Sequence, residues 1–180
     1  MVIKELRSEL LQDWKEFFDC RAFEDHQEWR GCYCTAFYYP KPAEYLSASS
    51  KRIDYAKWLI ETGRMCGYLA YDGDKVVGWV NANDRAKYPR LRHLVDGEES
   101  VLSIVCFIVQ KEQRGKGIAK MLLDKIMQDA KGKGYSVIEA YPKKGAKSEY
   151  GRWNGPFEMY QKAGFTEHEI QKDKVVRKQV

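Results

Sequence analysis

The stretch that decides the fold spans residues 100–134 and reads SVLSIVCFIVQKEQRGKGIAKMLLDKIMQDAKGKG. It opens with an apolar run, Val101–Val109, that is hydrophobic on both of its alternating sides. Strict alternation places Val101, Val105, Phe107 and Val109 on one side and Leu102, Ile104, Cys106 and Ile108 on the other. A strand with two apolar faces is typical of the centre of a sheet that helices cover on both sides. The sequence therefore predicts a central strand here.

The second half of the stretch has the spacing of an amphipathic helix. Its apolar positions recur every three or four residues, and its polar positions lie on the opposite side. The apolar set is Ile118, Met121, Leu122 and Ile126, and the polar set is Lys120, Asp124, Lys125 and Gln128. Glycine commonly follows the last turn of a helix, and Gly132 and Gly134 stand at that place.

A basic, glycine-rich corner, Arg114-Gly115-Lys116-Gly117-Ile118-Ala119, joins the strand to the helix. The first N–H groups of a helix have no partner within it, and together with the positive end of the helix dipole they attract anions. Glycine lets a ligand approach the backbone, and basic side chains add charge suited to phosphate. The corner is therefore either a phosphate-binding loop or an ordinary basic turn.

Two familiar phosphate-binding motifs do not fit this corner. A P-loop requires Ser or Thr directly after a Gly-Lys pair, and here Gly117 follows the pair Gly115-Lys116. A Rossmann fingerprint requires a third glycine, which the corner lacks.

The corner is followed in the chain by two further motifs, Val137–Tyr141 and the segment Tyr160-Gln161-Lys162-Ala163-Gly164-Phe165. In order and spacing, the three resemble the acyl-CoA pyrophosphate loop (here Arg114-x-x-Gly117-x-Ala119), the fifth strand and the last helix of the GNAT N-acetyltransferase superfamily. The resemblance covers roughly residues 67–180. Within it, residues 67–71, 77–80 and 139–142 resemble a branch of mainly uncharacterised acetyltransferases.

The resemblance implies an α/β (α+β) fold: a mixed, twisted, mostly antiparallel sheet of six or seven strands with helices on both faces. We expect one domain over residues 1–180, because the sequence contains no linker or internal repeat. Residues 1–66 would form the helices and loop on the acceptor side, and residues 67–180 would form the core that binds acyl-CoA.

The resemblance also implies acetyl-CoA as co-substrate, held where the strands Val101–Val109 and Val137–Tyr141 part. Its pantetheine would pair with the backbone of the first strand, and its pyrophosphate would lie on the amides of the corner. Asn154 stands near a CoA-contacting asparagine of the family, one residue closer to the tyrosine than usual. The implied cofactor-binding residues are Phe107, Ile108, Val109, Arg114, Gly115, Lys116, Gly117, Ile118, Ala119, Lys120 and Asn154.

Attack of an amine on a thioester needs a base for the ammonium proton and an acid for the departing thiolate. Tyr160 matches the family's general acid, although a buried tyrosine with a satisfied hydroxyl would look the same. Eleven positions before Arg114, where histone-acetylating relatives have glutamate, this chain has Ser103, which is not a base without help. The base is therefore Glu139, or Glu98 or Glu99, or water relayed through Ser103; Glu139 is alternatively a salt-bridged carboxylate.

The segment between Trp29 and Tyr39 is rich in aromatic residues and has little periodicity. In the superfamily, the first helices and their connection resemble an acceptor-binding wall, so Tyr33, Cys34 and Phe37 are candidates for acceptor binding. The alternative is a loop that only caps the core. An acyl-cysteine at Cys106 is a further alternative, although a cysteine in an apolar strand is usually inert.

Composition narrows the class of protein. A chain of 180 residues with a net charge of +5 spread along its length suits an anionic small ligand such as CoA and does not indicate nucleic-acid binding. No apolar run is long enough to span a membrane, and there is no signal-peptide h-region, so we expect a cytoplasmic protein. The sequence contains five cysteines, which we expect to be reduced thiols. The pair in Cys32-Tyr33-Cys34 lacks the two further ligands that a zinc site needs, so we expect no metal.

The rest of the chain predicts further elements. Ser8 caps a helix over Glu9–Cys20, Lys51–Thr62 forms a second helix, and Asp72-Gly73-Asp74-Lys75 turns a hairpin. Asn83–Glu99 is polar and aperiodic, which predicts a surface loop. A short helix from Pro156 to Ala163 and a hairpin over residues 165–178 close the chain.

Two functional hypotheses follow. The first is an N-acetyltransferase that moves an acetyl group from acetyl-CoA to a primary amine by direct attack in a ternary complex. Its acceptor is a small molecule in preference to a protein amino group, and a homodimer is compatible with it. The second is a non-catalytic acyl-CoA-binding or sensing domain that has lost the base.

Overall fold

The structure, a computed structural model, describes residues 1–94, 96–97, 100–145 and 153–180. Its described strands are β1 (Val2–Glu5), β2 (Gly67–Asp72), β3 (Lys75–Asp84), β4 (Val101–Val109), β5 (Val137–Ala140), β6 (Thr166–Ile170) and β7 (Asp173–Gln179). Its described α-helices are α1 (Leu11–Cys20), α2 (Pro42–Ser47), α3 (Arg52–Glu61), α4 (Ile118–Ala130) and α5 (Phe157–Lys162). None of the helices in these ranges is long and apolar enough to cross a membrane.

The described strands form one seven-stranded sheet in the order β1-β2-β3-β4-β5-β7-β6. Its pairs are antiparallel except β4 with β5, which run parallel. A parallel pair needs a long crossover, and α4 provides it between β4 and β5. The predicted mixed, mostly antiparallel sheet and its central strand are confirmed.

Helices cover both faces of the sheet, and each face has its own core. One core joins the sheet to α1, α3 and the aromatic segment, and it includes Trp14, Phe17, Leu59, Trp79 and Tyr88. The other joins the sheet to α4 and α5, and it includes Ile118, Leu122, Ile126, Tyr160 and Phe165. We call these the acceptor-side core and the α4-side core.

A β-bulge interrupts the pairing of β3 with β4. Asn81 pairs with Cys106, but Ala82 pairs with Ile104, so Val105 has no opposite residue. A bulge turns the residues beyond it to the other face. Val105, Cys106 and Ile108 consequently lie in the acceptor-side core, whereas Leu102, Ile104 and Phe107 lie in the α4-side core.

Because of the bulge, the strict alternation predicted for β4 is wrong: Val105 and Phe107 do not share a face. The bulge also stands where β4 leaves β5, because their pairing covers Val101–Ile104 against Val137–Ala140 and goes no further. From Val105 onward β4 therefore has an edge directed away from β3, which we call the splayed edge.

Two local predictions need correction. Ser8 does not cap α1: residues 8–10 form a 3-10 turn, and the Leu10 side chain before α1 makes no capping hydrogen bond. Asn83–Glu99 is not simply a surface loop, because β3 continues to Asp84 and Tyr88 is fully buried. The Tyr88 hydroxyl donates to Asn81 Oδ1 at 2.7 Å, so this segment is anchored in the acceptor-side core.

Close contact between α4 and the sheet depends on Gly78 in β3. A Cβ at this position would lie 2.8 Å from the Ile118 Cγ2 methyl and 3.4 Å from the Ala70 Cβ. Overpacking of this kind costs about 1–3 kcal/mol. We therefore expect Gly78→Ala to lower the melting temperature by roughly 2–12 °C, measured by thermal denaturation.

Gly132→Ala is the matched control for this substitution. A Cβ at Gly132 would meet nothing within 4 Å, and the residue does not need a positive φ. This variant should melt at or slightly above the wild-type temperature. Equal melting temperatures for the two variants would contradict the close packing inferred at Gly78.

Candidate active site

The corner between β4 and α4 has the geometry expected of an anion-binding loop. Gly115 and Gly117 have φ values of 76° and 82°, in the left-handed region that favours glycine. Gly117 is the N-cap of α4, and glycine has no side chain with which to cap the helix. A Cβ on either glycine would meet no atom within 4 Å, so the space over the first turn of α4 is open. The residues present thus fit a pyrophosphate group.

Arg114 is held by the protein itself. Its Nη1 and Nη2 lie 2.7 and 3.2 Å from the two carboxylate oxygens of Asp25, and its Nε donates to the Val109 carbonyl at 3.1 Å. Burial alone would raise the pKa of Asp25, but the hydrogen bonds and charge of Arg114 hold it below its usual value. The pair ties the corner to the segment after α1. Asp25 therefore balances part of the positive charge that Arg114 was expected to offer to a phosphate group.

The other predicted residues of the corner differ in exposure. Ile118 is buried against the sheet, and Ala119 is half-buried. Lys116 donates to Gln113 Oε1 at 3.1 Å, and Lys120 pairs with Asp124 at 2.5 Å. Both lysines are exposed. Exposed ion pairs contribute little, so both ammonium groups can turn toward an anion at low cost.

The splayed edge of β4 contacts residues 153 and 154. The Phe107 N–H donates to the Trp153 carbonyl at 2.7 Å, and the Asn154 side-chain amide donates to the Val105 carbonyl at 2.8 Å. Ile108 pairs with Trp79 of β3. Because alternate residues of a strand direct their backbone groups to the same side, Val109 shares the orientation of Phe107. Predicted residues Phe107 and Asn154 thus come together at this edge, and the backbone of Val109 faces the same side.

Tyr160 of α5 approaches the same point from the α4-side core. Its side chain is fully buried, and its hydroxyl donates to the Asn154 carbonyl at 2.7 Å. Burial raises the pKa of Tyr160 well above its ordinary value, so the phenol is protonated at neutral pH. A protonated phenol at the splayed edge can act as a proton donor.

Glu139 lies in a buried cluster of charged side chains. Its Oε2 accepts from Arg177 Nε at 2.7 Å, Arg177 Nη2 at 2.5 Å and Arg85 Nη1 at 3.3 Å. Asp96 pairs with both arginines. The carboxylate is fully buried, which matches the salt-bridged alternative for this residue. Glu98 and Glu99, the other candidate bases, lie outside the described residues.

Ser103 is also fully buried, and it contacts this cluster through a tyrosine. Its Oγ lies 2.7 Å from the hydroxyl of Tyr141, and that hydroxyl donates to Glu139 Oε1 at 2.5 Å. Burial, followed by the charge of Glu139, raises the pKa of Tyr141 well above its ordinary value.

The three candidate acceptor residues pack in or against the acceptor-side core. Tyr33 donates to Asp19 Oδ1 at 2.7 Å, and Cys34 Sγ lies 2.9 Å from Cys106 Sγ. Phe37 is half-buried, and its ring centroid lies 5.7 Å from that of Trp153 and 6.3 Å from that of Tyr141. Of the three, Phe37 is the one in ring contact with Trp153, whose carbonyl binds the splayed edge.

The described residues contain no group of three or more His, Cys, Asp or Glu side chains that could hold a metal ion. Cys32 is half-buried, and burial raises the pKa of its thiol to about 11. Burial also raises the pKa of the Cys34 thiol.

Sequence reasoning missed four residues that shape the site: Asp25, Arg85, Trp153 and Arg177. Asp25 binds Arg114 from 89 positions away, and Arg177 binds Glu139 from 38 positions away. No local pattern marks such partners. Tyr141 was expected only as part of a strand, and its role as a hydrogen-bond link follows from its position just past β5.

A model of the acetyltransferase (GNAT) family matches residues 3–155 of this chain. The chain therefore belongs to the GNAT acetyltransferase family. A comparison with curated proteins found no match.

Solved structures of N-acetyltransferases share the fold. PaiA N-acetyltransferase from Thermoplasma acidophilum, in complex with coenzyme A, is 18% identical over 100% of both chains with a TM-score of 0.55. A ribosomal-protein-alanine N-acetyltransferase from Brucella melitensis is 16% identical over 100% of both chains, with a TM-score of 0.56. An aminoglycoside acetyltransferase from an uncultured soil metagenomic sample is 19% identical over 96% of this chain and 95% of its own, with a TM-score of 0.58.

Proposed function

We propose that this protein transfers an acetyl group from acetyl-CoA to a primary amine by direct attack within a ternary complex. The observation that carries the proposal is the open N-terminus of α4. There, two left-handed glycines leave room for an anion at the end of the splayed edge. The family relationship supports acyl transfer as the type of reaction.

The residues of the site supply the groups that such a transfer needs. The amides of the first turn of α4, with Lys116 and Lys120, would hold the pyrophosphate. The splayed edge would pair with the pantetheine as another strand would, and the Phe107 N–H is a donor for a carbonyl oxygen. Tyr160, protonated at neutral pH, would give its proton to the departing thiolate.

In the structure, two of these donors already form hydrogen bonds with backbone carbonyls of the protein itself. The Phe107 N–H binds the carbonyl of Trp153, and the Tyr160 hydroxyl binds the carbonyl of Asn154. Both donors therefore face one short piece of backbone. A thioester carbonyl and its sulfur would take the same two donors once residues 153 and 154 are displaced.

The acceptor is proposed to be a small amine with an apolar body. The half-buried rings of Phe37 and Tyr141 lie against each other beside the splayed edge, and aromatic walls favour apolar ligands. Two of the neighbours by fold are named for different acceptors, a ribosomal-protein alanine and an aminoglycoside. Their names therefore do not select an acceptor for this chain.

The test is release of CoA thiol from acetyl-CoA in the presence of a panel of primary amines. We expect Tyr160→Phe to lower kcat by about a hundredfold and to bind acetyl-CoA, measured by calorimetry, no more weakly than the wild type. Tyr68→Phe is the matched control, because Tyr68 is a buried tyrosine whose hydroxyl binds Asp129 at 2.8 Å.

Two results would contradict the proposal in different ways. Unchanged turnover in Tyr160→Phe would remove Tyr160 as the acid. Tight acetyl-CoA binding by the wild type without turnover of any amine would instead establish the non-catalytic acyl-CoA-binding domain.

A further inference from the structure

Ser103, Tyr141 and Glu139 form a continuous chain of hydrogen bonds behind the splayed edge. The Ser103 Oγ lies 2.7 Å from the Tyr141 hydroxyl, which lies 2.5 Å from Glu139 Oε1. Ser103 and Glu139 are register partners across β4 and β5, and Tyr141 is two residues beyond Glu139. Because residues two apart on a strand share a face, the sheet brings all three side chains to the same side.

The direction of the protons in this chain follows from the chemistry of the groups. A carboxylate oxygen only accepts hydrogen bonds, so the single proton of the Tyr141 hydroxyl points to Glu139. Tyr141 must then accept in its contact with Ser103, and Ser103 must donate. The lone pairs of Ser103 Oγ are the acceptor end of the chain.

The two oxygens of Glu139 have different surroundings. Oε2 accepts from Arg85 and Arg177, while the contact described for Oε1 is with Tyr141. The charges of the cluster balance, since Asp96 pairs with the same two arginines that bind Glu139. Arg85 and Tyr88 also interact electrostatically with Tyr141. The hydroxyl groups of Tyr141 and Ser103 are thus linked to the charged cluster through Glu139 Oε1.

We propose that Tyr141 is a positioning residue in a proton relay from Ser103 to Glu139. The relay removes one proton from the ammonium group of the acceptor. The inference rests on the proposed function and identifies its base. As an N–H bond of the ammonium breaks, a new O–H bond forms at Ser103 Oγ. The original serine proton moves to the Tyr141 oxygen, and the tyrosine proton moves to Glu139 Oε1. The amine keeps the electron pair and becomes the nucleophile, and Glu139 becomes a neutral carboxylic acid.

Ser103 lies on the side of β4 suited to this role. Val105 and Cys106, beside it at the bulge, belong to the acceptor-side core, and Tyr141 is in ring contact with Phe37. The hydrogen-bond chain therefore lies on the acceptor side of β4, with its middle member Tyr141 against Phe37 of the proposed acceptor wall, and it ends at a buried carboxylate. A serine in the place of a catalytic glutamate then needs no base of its own, because the base lies two hydrogen bonds away.

The experiment compares the pH dependence of kcat/KM for wild type, Tyr141→Phe and Tyr71→Phe, with an alkylamine acceptor taken from the panel. Tyr71→Phe is the matched control. It removes the hydroxyl of a tyrosine on β2, which donates to Asp13 of α1 at 2.7 Å. At pH 7 we expect Tyr141→Phe to lose about a hundredfold in kcat/KM, the lower end of the range of acid–base catalysis, with an unchanged Kd for acetyl-CoA. Ser103→Ala should lose as much, which provides a second variant if one folds poorly.

The ratio of wild-type to Tyr141→Phe activity is the decisive quantity. An alkylamine has a pKa near that of lysine, about 10.4, so its neutral fraction rises roughly tenfold for each pH unit below that value. The ratio should therefore fall as the pH rises from 7 to 9.5. A ratio that stays constant with pH, or full activity of Tyr141→Phe, would overturn the relay while the proposed function stands. A wild type that acetylates no amine would overturn both.

Discussion

Gly117→Glu should weaken acetyl-CoA binding by more than about a thousandfold. The substitution places a carboxylate in the open space over the first turn of α4, where nothing lies within 4 Å of a Cβ. Each charge-assisted hydrogen bond is worth about 1.5–3 kcal/mol, so loss of three of them costs about 4.5–9 kcal/mol, which is more than about a thousandfold in Kd. Calorimetric titration with acetyl-CoA measures the effect.

Gly134→Glu controls for the cost of a side chain in left-handed backbone. Gly134 follows the 3-10 turn after α4, has a φ of 83° against 82° for Gly117, and likewise has nothing within 4 Å of a Cβ. Both variants should lose similar thermal stability, about 1–2 kcal/mol, and only Gly117→Glu should lose binding. Equal binding by the two variants would show that the corner is an ordinary basic turn.

Arg177→Met should strongly destabilise the fold. Arg177 is buried and makes two hydrogen bonds to Glu139 Oε2 as well as one to Asp96. Its removal leaves two carboxylates sharing Arg85. Breaking a buried ion pair by removing one partner costs about 3–5 kcal/mol, or roughly 6–20 °C in melting temperature for a chain of this length.

Arg7→Met is the comparison for this loss. Arg7 pairs with Glu5 at 3.3 Å, but 72% of its side chain is exposed to solvent. Exposed pairs contribute about 0–1 kcal/mol, so this variant should melt within about 4 °C of the wild type. If Arg177→Met melted as high as Arg7→Met, the buried cluster would not be a source of stability.

The parts of the fold and site that were predictable depend on neighbours in sequence. The strand Val101–Val109, the helix beginning at Ile118 and the glycines at 115 and 117 each follow from local periodicity and backbone preference. The structure confirms those elements and gives both glycines the left-handed conformation that the loop requires. The roles assigned to Tyr160 and to the corner remain predictions, which Tyr160→Phe and Gly117→Glu address.

The parts that were missed depend on pairing across the sheet. The bulge at Val105 is set by the register of β3 against β4, and a one-residue shift reverses every face beyond it. The environment of Glu139 is set by Arg85 and Arg177, 54 and 38 positions away. Neither relation leaves a periodic trace in the sequence, because each arises only after the strands have paired.

The contacts of Trp153 and Asn154 with the splayed edge have a kinetic consequence under the proposed function. A segment tethered next to its own binding site acts as an intramolecular competitor with a high effective concentration. The apparent affinity for acetyl-CoA is then the intrinsic affinity multiplied by the fraction of molecules in which the segment has left the edge. Association would accordingly approach a limiting rate at high acetyl-CoA concentration, set by the departure of two residues and not by diffusion.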